Sequence, residues 1–363
     1  MTTESGEGLF AERRRTGSRR LRRLPLAWLC LLVSPACGLA IPVTLRADES
    51  PARRDGIASQ YPGDAGIAQD PRVVFAENFE TDGIEPLRQR WDMVRNDEIM
   101  TLDSDVPPHS AGNRSLLMSQ RAELGTGGDL YQLLGEGHEQ VYCRMYVKFA
   151  EDCQPVHHFG TCVGGHFPPS KWPIVRAGQP PAGDKSFWVG IEPFGESWRW
   201  DYYTYWWEMR GSPPRGQTWG NSFIQDPELA VERGRWICVE QMVKLNDVGE
   251  ANGEMALWID GVPVSHVGQG FPRGTWIFDK FHPGRGGEGV RWNRELGERE
   301  TLTTASDGDP FEGFRFRTDA SLNINYVWLY LYLTQGTPGH INRVWFDDVV
   351  VATDYIGPLQ PPR

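Results

Sequence analysis

The sequence predicts an all-β protein, built as one large two-sheet antiparallel β-sandwich. Three observations carry this. Short runs of β-type alternation recur from residue 72 to near the end of the chain, and 41 glycines and 27 prolines punctuate them. No long stretch shows the 3.6-residue period of an amphipathic helix. Many strands with few helices around a single core make a sandwich the economical architecture. After RVVFAENFE (72–80), strands are expected at 114–119, 141–149, 186–192, 198–209, 236–246, 254–260, 313–318, 321–334 and 342–353. No internal repeat is present.

The first 47 residues read differently. RRRTGSRRLRR (13–23) is a basic run, LPLAWLCLLVSPACGLAIPV (24–43) is apolar, and Gly38, Ala40 and Ala47 offer small residues for cleavage. That order of charged, apolar and small residues is the pattern of an export signal. A membrane anchor of this length is the competing reading, but three prolines, a glycine and two cysteines interrupt the stretch. The mature chain is therefore expected to be periplasmic, at the cell surface or extracellular, with no membrane span. Residues 48–71 lack apolar periodicity and read as a flexible linker, 72–358 as one domain and 359–363 as a tail.

The removed segment holds eight arginines and three glutamates, so the remainder carries −16 against −11 for the whole chain. Such a surface repels phosphate backbones and argues against a nucleic-acid partner. Four cysteines remain, Cys143, Cys153, Cys162 and Cys238. In an oxidising compartment the short loop between Cys153 and Cys162 favours a bridge there, while Cys143 and Cys238 read as buried thiols on strands. Two connections are long, 163–185 and 282–312, and are expected to wall or lid one face.

Candidate functional residues come from the wet faces of the strands. In VYCRMYVKF (141–149) the odd positions are apolar, whereas Tyr142, Arg144, Tyr146 and Lys148 share the other face. WRWDYYTYWWEMR (198–210) places Trp198, Trp200, Tyr202, Thr204, Trp206 and Glu208 on one side and Arg199, Asp201, Tyr203, Tyr205 and Trp207 on the other, so one side must face a core and the other a sheltered groove. Glu240, Lys244 and Asn246 share a side of WICVEQMVKLN, and Glu240 is expected to pair with Lys244 or an arginine. In GFRFRTD (313–319) Arg315 and Arg317 oppose Phe314 and Phe316. In SLNINYVWLYLYLT (321–334) Asn323 and Asn325 alternate with Leu322 and Ile324, and the apolar phase turns ambiguous from Tyr326, which suggests a bulge. Aromatic rings with planar polar groups make up a saccharide site, since rings cover the C–H faces of sugars and polar groups bond the hydroxyls and carboxylates.

Three stretches resemble the concanavalin A-like jelly roll of secreted bacterial polysaccharide lyases and their uncharacterised relatives: VVFAENFE (73–80), RWICVEQMVKLN with NGEMALWIDGVPV (235–264), and NRVWFDDVVVATDYIGP (342–358). The likeness spans most of 72–358. It implies β-elimination on a uronic-acid-containing glycan, although the arginine, Gln-x-His and Tyr-x-Lys-x-Gly-x-Tyr signatures of alginate lyases of this fold are absent. Elimination needs a cation or amide to neutralise the carboxylate, a base for the proton beside it and an acid for the leaving oxygen. Arg144, Arg315, Arg317 and Asn325 are candidates for the first role and His157 or His158 for the second. Tyr203, Tyr205 or Tyr146 would supply the third, or the second if strongly perturbed. Tyr142, Lys148, Glu240 and Lys244 would then help to bind substrate.

A lectin-like glycan-binding module needs the same groove without a base and is the alternative. Glycoside hydrolysis ranks third: the Glu-x-Asp-x-Glu strand motif is missing, and Glu192 and Glu196 in IEPFGE are wrongly spaced. The partner in every case is a polysaccharide or oligosaccharide, and a monomer is expected. No cofactor is required. Structural calcium is an option at Glu77 and Glu80 with Asp347 and Asp348, where the terminal strands would join.

Overall fold

The computed structural model describes residues 55–121, 127–156, 158–172, 177–194, 198–212, 216–283, 290–293, 298–301, 308–333 and 336–362. The expected export segment, the first part of the expected linker, His157 and parts of both long connections lie outside the described residues. The strands, in chain order, are β1 (Val73–Glu77), β2 (Met93–Arg95), β3 (Met100–Asp103), β4 (Ser115–Arg121), β5 (Gly127–His138), β6 (Gln140–Phe149), β7 (His158–His166), β8 (Ser186–Phe194) and β9 (Arg199–Tyr205). They continue with β10 (Trp236–Lys244), β11 (Glu254–Ile259), β12 (Val262–Val267), β13 (Arg273–Ile277), β14 (Lys280–Pro283), β15 (Val290–Asn293), β16 (Glu298–Thr301), β17 (Asp309–Pro310), β18 (Ile324–Tyr332) and β19 (Ile341–Ala352).

Two antiparallel sheets form the sandwich. An eight-stranded back sheet runs β12-β11-β10-β6-β19-β4-β3, with β1 also on β19, and a six-stranded front sheet runs β2-β5-β18-β7-β8-β9. Alternation decides which side chains meet between them. Phe149 of β6 packs on Phe159 of β7 at 4.8 Å, and Phe159 on Phe346 of β19 at 5.5 Å. Val163, Val189, Ile191, Trp200, Tyr202 and Leu329 fill the same layer and are fully buried. Gln241 ties the sheets polarly by donating to Thr161 O at 2.9 Å.

The outer face of the back sheet is not a groove. Residues 55–69, expected as linker, fold into short 3-10 turns whose Ile57, Ala58 and Ile67 pack on Val350, Ala352 and Ile356. The C-terminal segment lies beside them: Ile57 N donates to Tyr355 O (3.0 Å), Ala58 N to Ile356 O (2.9 Å) and Gly63 N to Gln360 O (2.9 Å). Gly56 allows this approach, since a Cβ there would sit 2.2 Å from Ile356 O.

These two segments cover the face that alternation marked as wet. Arg144 is fully buried, paired with Asp64, and donates to Gly357 O (3.0 Å) and Asp348 O (3.1 Å). Tyr146 accepts from Leu359 N at 2.8 Å, so residue 359 is packed rather than a loose tail. Glu240 caps Ile356 N (2.7 Å) and Gly357 N (2.8 Å) instead of pairing with Lys244, which bonds Glu254 at 2.7 Å. Tyr142 packs between Trp258 and Tyr355. Lys148 pairs with Asp105 and lies over Trp345 at 4.6 Å. A buried face of the sheet takes charged residues only where partners neutralise them, and here the chain's own ends supply those partners.

Three further expectations are corrected. Residues 313–318 form no strand: only Phe314 bridges Gly253. β5, β7 and β12–β14 are strands that the expected set lacked. All four cysteines among the described residues are free and buried, so Cys153 and Cys162 are not bonded. Cys162 sits within β7, whereas the Cys153 thiol turns to Gln154 O at 3.6 Å. Burial pushes the Cys143 and Cys153 thiols up to about 12, which leaves them inert near neutrality.

Candidate active site

The outer face of the front sheet carries the chemistry. On β9, Trp200, Tyr202 and Thr204 are buried, while Tyr203 and Tyr205 share the opposite face. On β18 a register shift between Ile324 and Tyr326 resets the alternation. Beyond it Val327, Leu329 and Leu331 fill the core, and Trp328, Tyr330 and Tyr332 join the outer face beside Tyr203 and Tyr205. The result is an aromatic floor: Trp188 stacks on Tyr205 (5.1 Å, 15°), Trp328 on Tyr330 (4.3 Å, 20°), and Trp188 meets Trp328 at 6.1 Å. Trp172, from the connection after β7, closes one end by packing on Trp328 at 5.5 Å with Arg95 stacked on it at 4.3 Å. The expectation that this connection walls one face holds for the described residue Trp172.

The other end is more open, and His158 lies there. Its Nδ1 is 2.9 Å from Glu192 Oε1, its ring centroid is 4.8 Å from that of Tyr203, and it stacks on Tyr332 at 5.9 Å and 12°. The His158 side chain is 22 % exposed and Glu192 only 5 %. Tyr330 donates to the same Glu192 oxygen at 3.4 Å. A carboxylate on Nδ1 fixes the ring orientation and the tautomer, with the lone pair on Nε2.

Burial raises Glu192, opposed by the His158 charge and by the His158 and Tyr330 hydrogen bonds. Burial also pushes Tyr203 far up, with the neighbouring Tyr205 and Glu192 adding to it. Tyr203 therefore keeps its proton at neutral pH and is suited to give one rather than take one. Its position depends on Gly220, where a Cβ would fall 2.4 Å from the ring.

Of the residues expected in the site, His158, Tyr203 and Tyr205 come together here. His157 lies outside the described residues. Arg315 is bound to Glu208 at 3.2 Å, and Arg317 is buried against Glu139, Asn246 and Asn323. Asn325 exchanges two hydrogen bonds with the His166 backbone, at 3.1 and 2.9 Å, and so pins β18 to β7. Tyr142, Arg144, Tyr146, Lys148, Glu240 and Lys244 belong to the back sheet. Sequence reasoning set aside Glu192 and did not single out Tyr330 or Tyr332. The signal was the alternation of Glu192 with the apolar Ile191 on a buried strand, which marks it as a carboxylate needing a partner.

At the joint of β1 and β19, Asp64, Glu77, Glu80 and Asp348 line a cavity of about 220 Å³. Asp347 Oδ2 and Asp348 Oδ2 have no hydrogen-bond partner there. Glu77 is taken by Phe79 N, Arg90 and Trp91, Glu80 by the amides of Asn113 and Arg114, and Asp64 by Arg144. Among the described residues no group of three acidic, histidine or cysteine side chains is placed to hold an ion. Burial, together with the acidic neighbours of each, raises both Asp347 and Asp348 instead.

The fold has counterparts among solved structures. The alginate lyase Aly36B, determined with an alginate tetrasaccharide, superposes with a TM-score of 0.50 at 10 % identity, over 78 % of this chain and 98 % of that one. This chain shares their jelly-roll fold with a second enzyme as well. A marine PL-14 alginate lyase from Aplysia kurodai matches with a TM-score of 0.50 at 12 % identity, over 77 % and 99 % of the two chains. No protein-family model matches the sequence, and no curated protein matches it. The two-sheet antiparallel jelly roll expected from the three sequence stretches is thus the observed architecture. Among the described residues no helix is long and apolar enough to cross a membrane.

Proposed function

We propose that this chain is an exported polysaccharide lyase that cleaves a uronic-acid-containing glycan by β-elimination at the His158 end of the front sheet. The observation that carries the reading is the convergence of His158, Glu192 and Tyr203 beside an aromatic floor. Support also comes from the fold, which two alginate lyases share. The aromatic floor suits the C–H faces of pyranose rings. His158 Nε2 removes the proton on the carbon that bears the carboxylate. The electron pair left behind forms the new C=C bond, and the adjacent glycosidic C–O bond breaks. Tyr203 gives its proton to the leaving oxygen, and Glu192 holds the imidazole and balances its gained charge.

The test is ultraviolet absorbance of purified protein incubated with a panel of uronate polymers. Each elimination creates a conjugated double bond that absorbs, while hydrolysis creates none. A rising signal that His158→Ala abolishes supports the reading. A second reading, glycan binding without turnover, is favoured by one observation: Arg144, Arg315 and Arg317 all serve ion pairs elsewhere. Binding with no absorbance change across the panel would select it.

A further inference from the structure

We infer that Phe194, Arg199 and Lys280 form a corner that binds the carboxylate of a neighbouring sugar unit and thereby restricts the His158 face to acidic glycans. This rests on the glycan reading above. On β8, Glu192 and Phe194 lie two residues apart and so point the same way, roughly 7 Å from each other. Phe194 pairs in register with Arg199 of β9. The Arg199 guanidinium lies 5.0 Å from the Phe194 ring centroid and the Lys280 ammonium 5.3 Å from it. A chain engaging His158 therefore reaches both cations with its next unit.

Each cation is held in place. Arg199 Nη2 contacts Asp201 Oδ2 at 3.3 Å and Gln225 Oε1 at 3.2 Å, and its buried Nε–H has no acceptor. Asp201 neutralises it only in part, because that carboxylate also accepts from the amides of Phe223, Ile224 and Gln225, each at 3.0 Å. Lys280 is set by β14: Ser222 bridges Lys280, Phe281 N donates to Ser222 O at 3.1 Å, and the Phe281 side chain is buried. Alternation then turns Lys280 outward. Among the described residues Lys280 makes no ion pair, so the corner carries one net positive charge.

The rest of the mature surface is strongly acidic and would repel a polyanion. A local cationic pair is what allows a uronate chain to settle there, since guanidinium and ammonium groups bond carboxylates strongly.

The experiment is calorimetric binding of alginate tetrasaccharide and of its carboxyl-reduced, neutral counterpart to the full mature chain. The wild type is expected to bind the acidic form more tightly. Lys280→Gln should weaken that binding about tenfold and leave the neutral form unaffected, while Lys280→Arg restores it. Equal affinity of wild type and Lys280→Gln for the acidic form would overturn the corner but leave the glycan reading standing. Tighter binding of the neutral form would do the same. Binding of neither sugar, with glucuronan fragments also failing, would overturn both.

Discussion

Glu192 Oε1 accepts from His158 Nδ1 at 2.9 Å and from the Tyr330 hydroxyl at 3.4 Å, so one buried carboxylate organises two outward side chains of the front sheet. Replacing it by glutamine keeps the volume but exchanges an ion for an amide that presents a donor to one partner. Glu192→Gln is expected to lower kcat for uronate elimination by about 10- to 100-fold with little change in KM, as for other groups that orient a reacting imidazole. Steady-state kinetics by absorbance would show it, with an unchanged melting temperature excluding a folding defect.

Tyr203→Phe should remove turnover while preserving oligosaccharide binding, because the ring remains and only the proton donor is lost. Gly220→Ala tests the same residue from outside. The added methyl overlaps the Tyr203 ring, so activity should fall along with about 1–3 kcal/mol of stability. Full activity in both variants would remove Tyr203 from the mechanism.

Arg144 predicts the opposite pattern. Arg144→Met leaves Asp64 without its guanidinium and the carbonyls of Asp348 and Gly357 without a donor. Chemical denaturation should register a loss of about 3–5 kcal/mol, the range for breaking a buried pair. The activity of the fraction that stays folded should be unchanged, since the back sheet holds no part of the proposed site.

Glu240 makes stability depend on pH. Burial raises it to about 7, against the two amides that lower it. The folded state then binds a proton that the unfolded chain, with an ordinary carboxyl near 4.5, has already released. Its contribution is full below about pH 4.5 and falls by roughly 3 kcal/mol as the pH rises to 7. Denaturation midpoints of the wild type should decline across that window, and Glu240→Gln should flatten the decline.

Asp347 and Asp348 are buried side by side and repel each other. Asp347→Asn removes one charge without changing volume and should raise the melting temperature at pH 8. If millimolar calcium stabilises the wild type and the variant loses that gain, the pair holds an ion instead.

Local rules reached some of this molecule and missed the rest for a definable reason. Period-two alternation located most of the central strands and separated the two sides of β9, Trp200 and Tyr202 from Tyr203, but with bulky aromatics on both it left open which side faces the core. For β6 the same rule separated Val141 and Met145 from Arg144 and Tyr146, but it could not say what covers the second group. The cover comes from residues some 80 positions before and 210 after Arg144, and no local pattern encodes such a contact. Arg317 illustrates the same limit: its partner Glu139 lies 178 residues away. In the candidate site, His158 and Tyr203 were legible as residue types suited to proton transfer. Glu192 was weighed only as half of a carboxylate pair, because its real partner is an imidazole on the adjacent strand.

The place of β19 has a consequence for the order in which the molecule can be made. It is the last strand in the chain yet lies inside the back sheet, bonded to β6 on one side and to β4 and β1 on the other. As the chain emerges from the ribosome, β1 and β4 have no neighbour to join them to β6 until residues 341–352 follow. The sandwich therefore closes only after residues 341–352 have been made, and a nascent chain stalled before residue 341 should remain sensitive to protease throughout.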